Sequence, residues 1–217
     1  MLRSGLRPRQ SRAKLGSVTV ASRALPDFRD ADQFVYLRNV SWKEYEAVLA
    51  MRGESSSPRL TYLKGVLELM SPSRFHEMDK KRLARLLEAW AEAKGIVLEG
   101  VGSWTLKNSR EERGAEPDEC YTVGRVPASD DDRPDIAIEV IWTSGGIDKL
   151  EVYRKLGVRE VWFYEKGTLT FFALREETYE LIPTSEILPT VETPLILACM
   201  QEPTQLDALR KLRAGLR

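Results

Sequence analysis

The sequence predicts an α/β protein in which one mixed central sheet is flanked by helices. Two observations lead to this prediction. Segments with a helical pattern alternate with short strand-like segments, an order that places helices on a sheet. In addition, Ile136–Trp142 is apolar on both faces, as expected of a strand inside a core. A chain of 217 residues, 42% of them hydrophobic, is long enough to build one sizeable core.

The first elements are predicted from turn and cap residues. Phe34–Leu37 is a short strand, and Ser41-Trp-Lys-Glu44 is a capping box that starts a helix ending near Gly53. Lys64-Gly65 separates two apolar segments and therefore predicts a tight hairpin.

A longer helix is predicted from Arg74 to Lys94, with Gly95 as its stop. Its apolar side is expected to face the core through Phe75, Met78, Leu83, Leu86, Leu87 and Trp90. Strands are expected at 96–99, 103–106 and 117–123, with a charged turn through 111–113 between the last two.

The rest of the chain continues the alternation. After Ile136–Trp142, the loop Thr143-Ser-Gly-Gly146 leads into a short helix that ends at Gly157. Lys166-Gly167 is the predicted turn of a second hairpin, a further strand covers 179–182, and the tail at 204–212 forms a small amphipathic helix.

The charge of the chain is zero overall but unevenly distributed. Six lysine and arginine residues precede the first acidic residue, Asp27, so residues 1–27 are assigned to a basic leader and 28–217 to the domain. A basic arm that follows a phosphate backbone is one interpretation. A disordered, solvated leader is the favoured one, because no aromatic residue interrupts the basic stretch.

Several classes of protein are disfavoured by what the sequence lacks. No eighteen-residue apolar run and no apolar signal stretch occur, so we expect a cytoplasmic protein that is not bound to a membrane. The sequence has no phosphate loop, dinucleotide fingerprint or nucleophile elbow, and its sole histidine excludes an HExxH zinc site. Cys120 and Cys199 have no CxxC partner and are expected to be reduced thiols.

Glu139 is the strongest candidate for a site residue, because it lies within the apolar segment Ile136–Trp142. An ionised carboxylate there costs several kcal/mol unless a salt bridge, protonation or a cation compensates it. By itself Glu139 is equally compatible with an ion pair to an arginine and with a metal site. Asp118 starts a neighbouring candidate strand, and if the two strands pair, both carboxylates can converge on one Mg²⁺ ion.

Three further residues complete the candidate site. Lys149 begins the helix after the glycine loop, where its ammonium could orient a water; a solvated surface lysine is the alternative. His76 could cap its helix or contact phosphate or a metal-bound water. Glu77, beside it, is an optional third acidic ligand.

Together, these segments resemble the Uma-type restriction endonucleases, a bacterial branch of the PD-(D/E)XK nuclease superfamily. The similarity runs from about Tyr36 to Leu174. It rests on Tyr62–Pro72 with His76 following, Glu116–Tyr121, Arg133–Val140, Asp148–Tyr153 and Gly157–Trp162.

The resemblance implies a restriction-endonuclease-like fold, with Asp118 as the metal-binding aspartate and Glu139 as the glutamate of the third motif. The superfamily often places a lysine two residues after that glutamate, where this chain has Ile141. Lys149 from the next helix is expected to replace it. Pro134-Asp135 is spelled like the superfamily motif but is given a supporting role at the start of a strand.

The resemblance further implies an endonuclease that depends on Mg²⁺ or Mn²⁺, with catalytic residues Asp118, Glu139, Lys149 and His76 and metal ligands Asp118, Glu139 and Glu77. DNA is the expected substrate, RNA remains open, and a homodimer is expected because two strands require two sites. The alternatives are a catalytically inert nucleic-acid-binding or interaction module of the same fold, and a structural domain in which an internal arginine neutralises Glu139.

Overall fold

The computed structural model describes residues 30–129, 132–143 and 146–217, so the basic leader lies outside the described residues. The described residues form eleven strands and five helices in the following order. They are β1 Gln33–Arg38, α1 Trp42–Arg52, β2 Arg59–Leu63, β3 Val66–Ser71, α2 Arg74–Lys94, β4 Leu98–Gly100, β5 Leu106–Asn108, β6 Arg113–Ala115, β7 Glu119–Val123, β8 Ile136–Ile141, α3 Lys149–Arg154, β9 Glu160–Glu165, β10 Thr168–Arg175, β11 Thr178–Ile182, α4 Thr193–Met200 and α5 Gln205–Gly215.

The strands form two sheets, in the orders β1-β3-β2-β6-β5 and β11-β10-β9-β8-β7-β4. Among the strands of the described residues, only β8 and β9 pair in parallel. The six-stranded sheet is therefore mixed, and the predicted α/β class is confirmed. The prediction of a single sheet is wrong. Strand β6 pairs with both β2 and β5 and so completes a second sheet around the first hairpin. It lies where the sequence predicted a charged turn.

Local signals placed the ends of several elements correctly. Ser41 caps α1 with both bonds of the capping box, and Gly95 ends α2 in the left-handed conformation. Lys64 and Gly65 both have positive φ angles, 42° and 85°, as a two-residue turn between twisted strands requires. These positions depend on short-range bonds, so the sequence alone indicates them.

The main core lies between the six-stranded sheet and a layer formed by α2, α4 and α5. The buried side of α2 includes Leu83, Leu86, Leu87 and Trp90, as predicted. Phe75 and Met78 do not join them: Phe75 stacks on Trp142, and Met78 is 51% exposed. The first turn of α2 therefore lies beside the end of β8 rather than over the core.

A second core connects the two sheets. Val152 and Tyr153 of α3 pack with Leu106 and Ala115 of the five-stranded sheet and with Val161 of the six-stranded sheet. Helix α3 is thereby held in the angle between the sheets. This packing places Lys149, at its N-terminus, close to both sheets.

The register of β7 and β8 determines the position of the two predicted ligands. Glu119 is opposite Ile138 in this antiparallel pair, so Asp118, one residue earlier, is brought opposite Glu139.

In the described part of the chain, no helix is long and apolar enough to cross a membrane.

Candidate active site

Asp118 is buried, with 1% of its surface exposed, and three groups bind its carboxylate. Arg59 donates to Oδ1, His76 Nε2 lies 3.1 Å from the same oxygen, and the Val140 N–H donates to Oδ2 at 2.7 Å. Burial acts to raise the pKa of Asp118, but Arg59 and His76 outweigh it and hold that pKa well below its usual range. Asp118 is therefore ionised at neutral pH.

His76 is enclosed between two carboxylates. Its Nδ1 lies 3.2 Å from Oδ2 of Asp32, and its Nε2 faces Asp118. Burial acts to lower the pKa of His76, but hydrogen bonds to Asp118 and Asp32 raise it to about 9. The two carboxylates thus favour the protonated form of this buried ring, although Arg59 Nη1 also lies 3.2 Å from its Nε2.

Glu139 is also buried, with 4% of its surface exposed, but its two oxygens differ. The Tyr153 hydroxyl donates a hydrogen bond to Oε1, and Lys149 Nζ lies 3.5 Å from that oxygen. Oε2 has no hydrogen-bond partner among the described residues. Burial raises the pKa of Glu139, and the Lys149 charge opposes this only in part.

Lys149 is not a solvated surface lysine, since only 16% of its side chain is exposed. Its Nζ donates to Thr61 Oγ1 at 2.9 Å, so the ammonium connects the two sheets. Burial acts to lower the pKa of Lys149, but the negative charges of Glu139, Glu68 and Asp118 outweigh burial and raise that pKa. Lys149 remains a cation beside Glu139, while the nearby arginine, Arg59, binds Asp118 instead.

These groups surround a cavity of about 140 Å³ between the two sheets. Glu139, Lys149 and His76 line it, whereas Asp118 lies behind them. The remaining lining residues come from both sheets and from the loops that precede β1 and α3: Asp32, Phe34, Glu68, Met70, Val140, Ile141, Thr143, Ile147 and Phe163.

Glu77 belongs to the network but not to the cavity lining. Its carboxylate accepts from Arg59 Nη2 at 2.8 Å and pairs with Lys80 at 2.7 Å, and 41% of its side chain is exposed. Residues 30–129, 132–143 and 146–217 contain no group of three or more histidine, cysteine or acidic residues that could hold a metal ion. Glu77 is therefore not clustered with Asp118 and Glu139 as a third ligand.

The second PD pair has a different environment. Asp135 accepts from the Val123 N–H at 2.9 Å and from Arg159 at 3.2 Å, and it also pairs with Arg125. Asp135 directly precedes β8, whereas Glu139 lies near the far end of that strand. Asp135 therefore supports the sheet, as expected.

Comparisons with known proteins decide the family. The model of the Uma2 family, described as "Putative restriction endonuclease", matches residues 42–206, more than half of the chain. The chain belongs to the Uma2 family. It is also similar to the crystal structure of a "putative nuclease belonging to DUF820" from Anabaena variabilis ATCC 29413, with 15% identity, 75% of this chain and 96% of that chain covered, and a TM-score of 0.43. A search of the curated proteins found no match.

Two site residues of this Uma2 member were missed by the sequence analysis, Arg59 and Asp32. Arg59 shares a face of β2 with Thr61, and Thr61 is paired across the sheet with Glu68, so one face of this hairpin is polar and buried. This alternation of polar residues along β2 could have been detected in the sequence. Asp32 had no such signal: it precedes the family match and resembles an ordinary aspartate before a strand.

The two carboxylates of the site differ in how many acceptor positions they leave open to a ligand. A carboxylate has about four lone-pair positions. On Asp118 three are used by Arg59, His76 and Val140, whereas Glu139 keeps Oε2 open beside the cavity. Mg²⁺ is commonly bound by one or two carboxylates together with waters and substrate phosphate. Asp118 and Glu139 would be the residues that hold it.

Proposed function

We propose that this member of the Uma2 family is an endonuclease that hydrolyses phosphodiester bonds in DNA and depends on Mg²⁺ or Mn²⁺. One observation carries the proposal. Two buried carboxylates face each other beside the Lys149 cation, Asp118 directly before β7 and Glu139 in β8, and Glu139 has an oxygen open to a cavity. A buried carboxylate left incompletely bonded is costly, so such an arrangement favours a ligand-binding role.

Each residue has a role that follows from its contacts. Bound Mg²⁺ would lower the pKa of a water and neutralise phosphate charge. Lys149, held by Thr61 and Glu139, provides a fixed positive charge where negative charge increases on the phosphate. His76 holds Asp118 in place and keeps it ionised.

An inert nucleic-acid-binding module of the same fold is the second candidate. The observation that favours it is the occupancy of Asp118, whose carboxylate is bonded by Arg59, His76 and a backbone N–H without any metal. A network of this kind can stabilise a fold without catalysing a reaction.

Metal binding separates the two candidates. Calorimetric titration with MgCl₂ and MnCl₂ should give binding for the wild type and none for folded Asp118→Asn or Glu139→Gln. Glu160→Gln, a substitution at a buried carboxylate of the adjacent strand, serves as the matched control and should bind normally. Cleavage of a supercoiled plasmid should likewise occur with the wild type and Glu160→Gln and be lost in Asp118→Asn and Glu139→Gln. A folded wild type that binds DNA but neither binds metal nor cleaves would instead support the inert module.

We further propose that the protein acts as a homodimer, because cutting both strands of a duplex requires two sites. Light scattering at micromolar concentration, with and without duplex DNA, tests this directly. A monomer in both samples that still linearises a plasmid would contradict the dimer.

A further inference from the structure

A large aromatic side chain is exposed beside the site. Trp142 follows β8 directly, three residues after Glu139, and 42% of its surface is accessible. Its Nε1–H donates to the Asp30 carbonyl at 2.7 Å, so the ring has a fixed orientation. Indole rings are usually more deeply buried than this, and an exposed one adjacent to a site is more often functional.

The ring is supported from α2. Phe75, which directly precedes His76, stacks on Trp142 with ring centroids 5.4 Å apart and planes 24° from parallel. The Arg74 guanidinium lies 4.8 Å from the centre of the Phe75 ring. The aromatic pair therefore lies on α2 and directly after β8, the two elements that carry His76 and Glu139.

Trp142 separates two hollows in the surface. One, of about 450 Å³, is lined by Val140, Tyr164 and Lys166. The other, of about 340 Å³, is lined by Phe75, Met78 and Arg82. Each has the volume of a small-molecule site, and the lining of each includes Trp142 and Asp79. At a rise of about 3.3 Å per residue, Trp142 lies about 10 Å along the chain from Glu139, on the side of the sheet that faces α2.

We propose that Trp142, supported by Phe75, is a stacking platform for an unpaired nucleobase of the substrate strand, close to the scissile phosphate. The proposal rests on the proposed function and makes it more specific: the preferred substrate is single-stranded or locally melted at this position.

Three physical arguments support a base as the occupant. Stacking on an aromatic ring is independent of base identity, and it requires a free base face, which a paired base inside a duplex does not offer. Arg74 and Lys166 provide positive charge for the flanking phosphates; Lys166 is 82% exposed and pairs with Glu165 at 3.0 Å, so a phosphate would compete with that exposed pair. The platform directly follows the strand that carries Glu139, so a base seated there would fix the register of the cleaved bond.

The test compares two strands of equal length, a fluorescein-labelled oligodeoxythymidine and an abasic deoxyribose-phosphate strand, by fluorescence anisotropy in EDTA. Trp142→Ala should weaken binding of oligodeoxythymidine about 5- to 100-fold and leave binding of the abasic strand unchanged. Trp142→Phe, which keeps an aromatic face, should retain most of the affinity. Met51→Ala, at an apolar residue of α1 that is 84% exposed, is the control and should change neither.

Other outcomes overturn the platform. Equal losses on both strands would show that Trp142 supports the fold or the backbone contacts, and no loss on either strand would mean that the ring does not bind bases. If Trp142→Ala changes the molecular mass by light scattering, the surface binds protein instead. A wild type that binds neither strand but cleaves plasmid contradicts only the platform. A wild type that neither binds nor cleaves contradicts the proposed function as well.

Discussion

Two buried glutamates on adjacent parallel strands differ in how completely they are bonded. Glu160 starts β9 and Glu139 lies near the end of β8, and they are 1% and 4% exposed. Glu160 accepts from four neutral donors, two on each oxygen. These are Trp162 Nε1 at 2.9 Å and Ser185 Oγ at 2.7 Å on Oε2, and the N–H groups of Glu186 at 2.7 Å and Ile187 at 2.9 Å on Oε1.

Glu139 uses only one of its oxygens. Tyr153 and Lys149 both bind Oε1, and the other oxygen adjoins the cavity. The difference indicates separate roles. A carboxylate whose acceptor positions are filled by protein donors fixes the loop that supplies them, whereas one with an open oxygen can bind a ligand.

The largest expected effect is on catalysis. Glu139→Gln removes the open anionic oxygen and should reduce plasmid cleavage about 100- to 1,000-fold, or about 3 to 4 kcal/mol in the activation barrier. Folded Glu160→Gln should cleave at the wild-type rate, because its oxygens contact only the fold. Equal losses in the two variants would remove the functional distinction between the two carboxylates.

The second prediction concerns stability, for which Glu160 should matter more than Glu139. Glu160→Ala leaves four donors without an acceptor, and at the lower bound of about 1 kcal/mol for each buried unsatisfied group we expect a loss of about 4 kcal/mol in the free energy of unfolding. Glu139→Ala should cost less, since it releases only two donors, Tyr153 and Lys149, and Lys149 keeps its bond to Thr61. Urea unfolding measures both. A larger loss for Glu139→Ala would mean that Glu139 is the structural residue.

The pH dependence of stability should originate in the open site. The pKa of His76 is raised from 6.5 to about 9, so its stabilising contribution is complete below pH 6.5 and is lost as the pH rises through 9. Asp32, Asp118 and Arg59 face the ring, and the two carboxylates dominate. Unfolding in EDTA should show a loss of about 3 kcal/mol over this range, and His76→Gln should reduce the slope. An equally steep decline in His76→Gln would exclude this assignment.

The smallest expected effect concerns the hydroxyl group that supports Glu139. Tyr153→Phe keeps the buried ring but removes the hydrogen bond to Oε1, which should cost about 1 kcal/mol of stability. Because this group orients a candidate ligand, metal affinity should fall about 10- to 100-fold. Trp162→Phe removes one donor from Glu160 and should leave metal affinity unchanged; a matching decrease would point to a general effect of sheet stability.

The sequence indicated the elements whose determinants are local. The capping box at Ser41, the stop at Gly95 and the hairpin turn at Lys64-Gly65 all depend on residues within a few positions of each other. Asp118 and Glu139 were predicted to converge because strand alternation and one antiparallel pairing were sufficient to bring them together.

Other elements could not be found in this way. Strand β6 has three residues and exists only through its pairing with β2 and β5. Helix α4 was missed because Thr193–Met200 is apolar almost throughout and lacks the polar face that a helical period requires. Both elements depend on distant partners, and the second sheet was missed for the same reason.

The sequence by itself determined that the chain forms an α/β fold with two candidate carboxylates on neighbouring strands. Only the tertiary structure decided which cation binds which carboxylate: Arg59, 59 residues away, binds Asp118, and Lys149 binds Glu139. It also placed Asp32 against His76, 44 residues away, and left Trp142 exposed. The physical reason is that ion pairing and burial depend on distances in space, which local periodicity and capping do not specify.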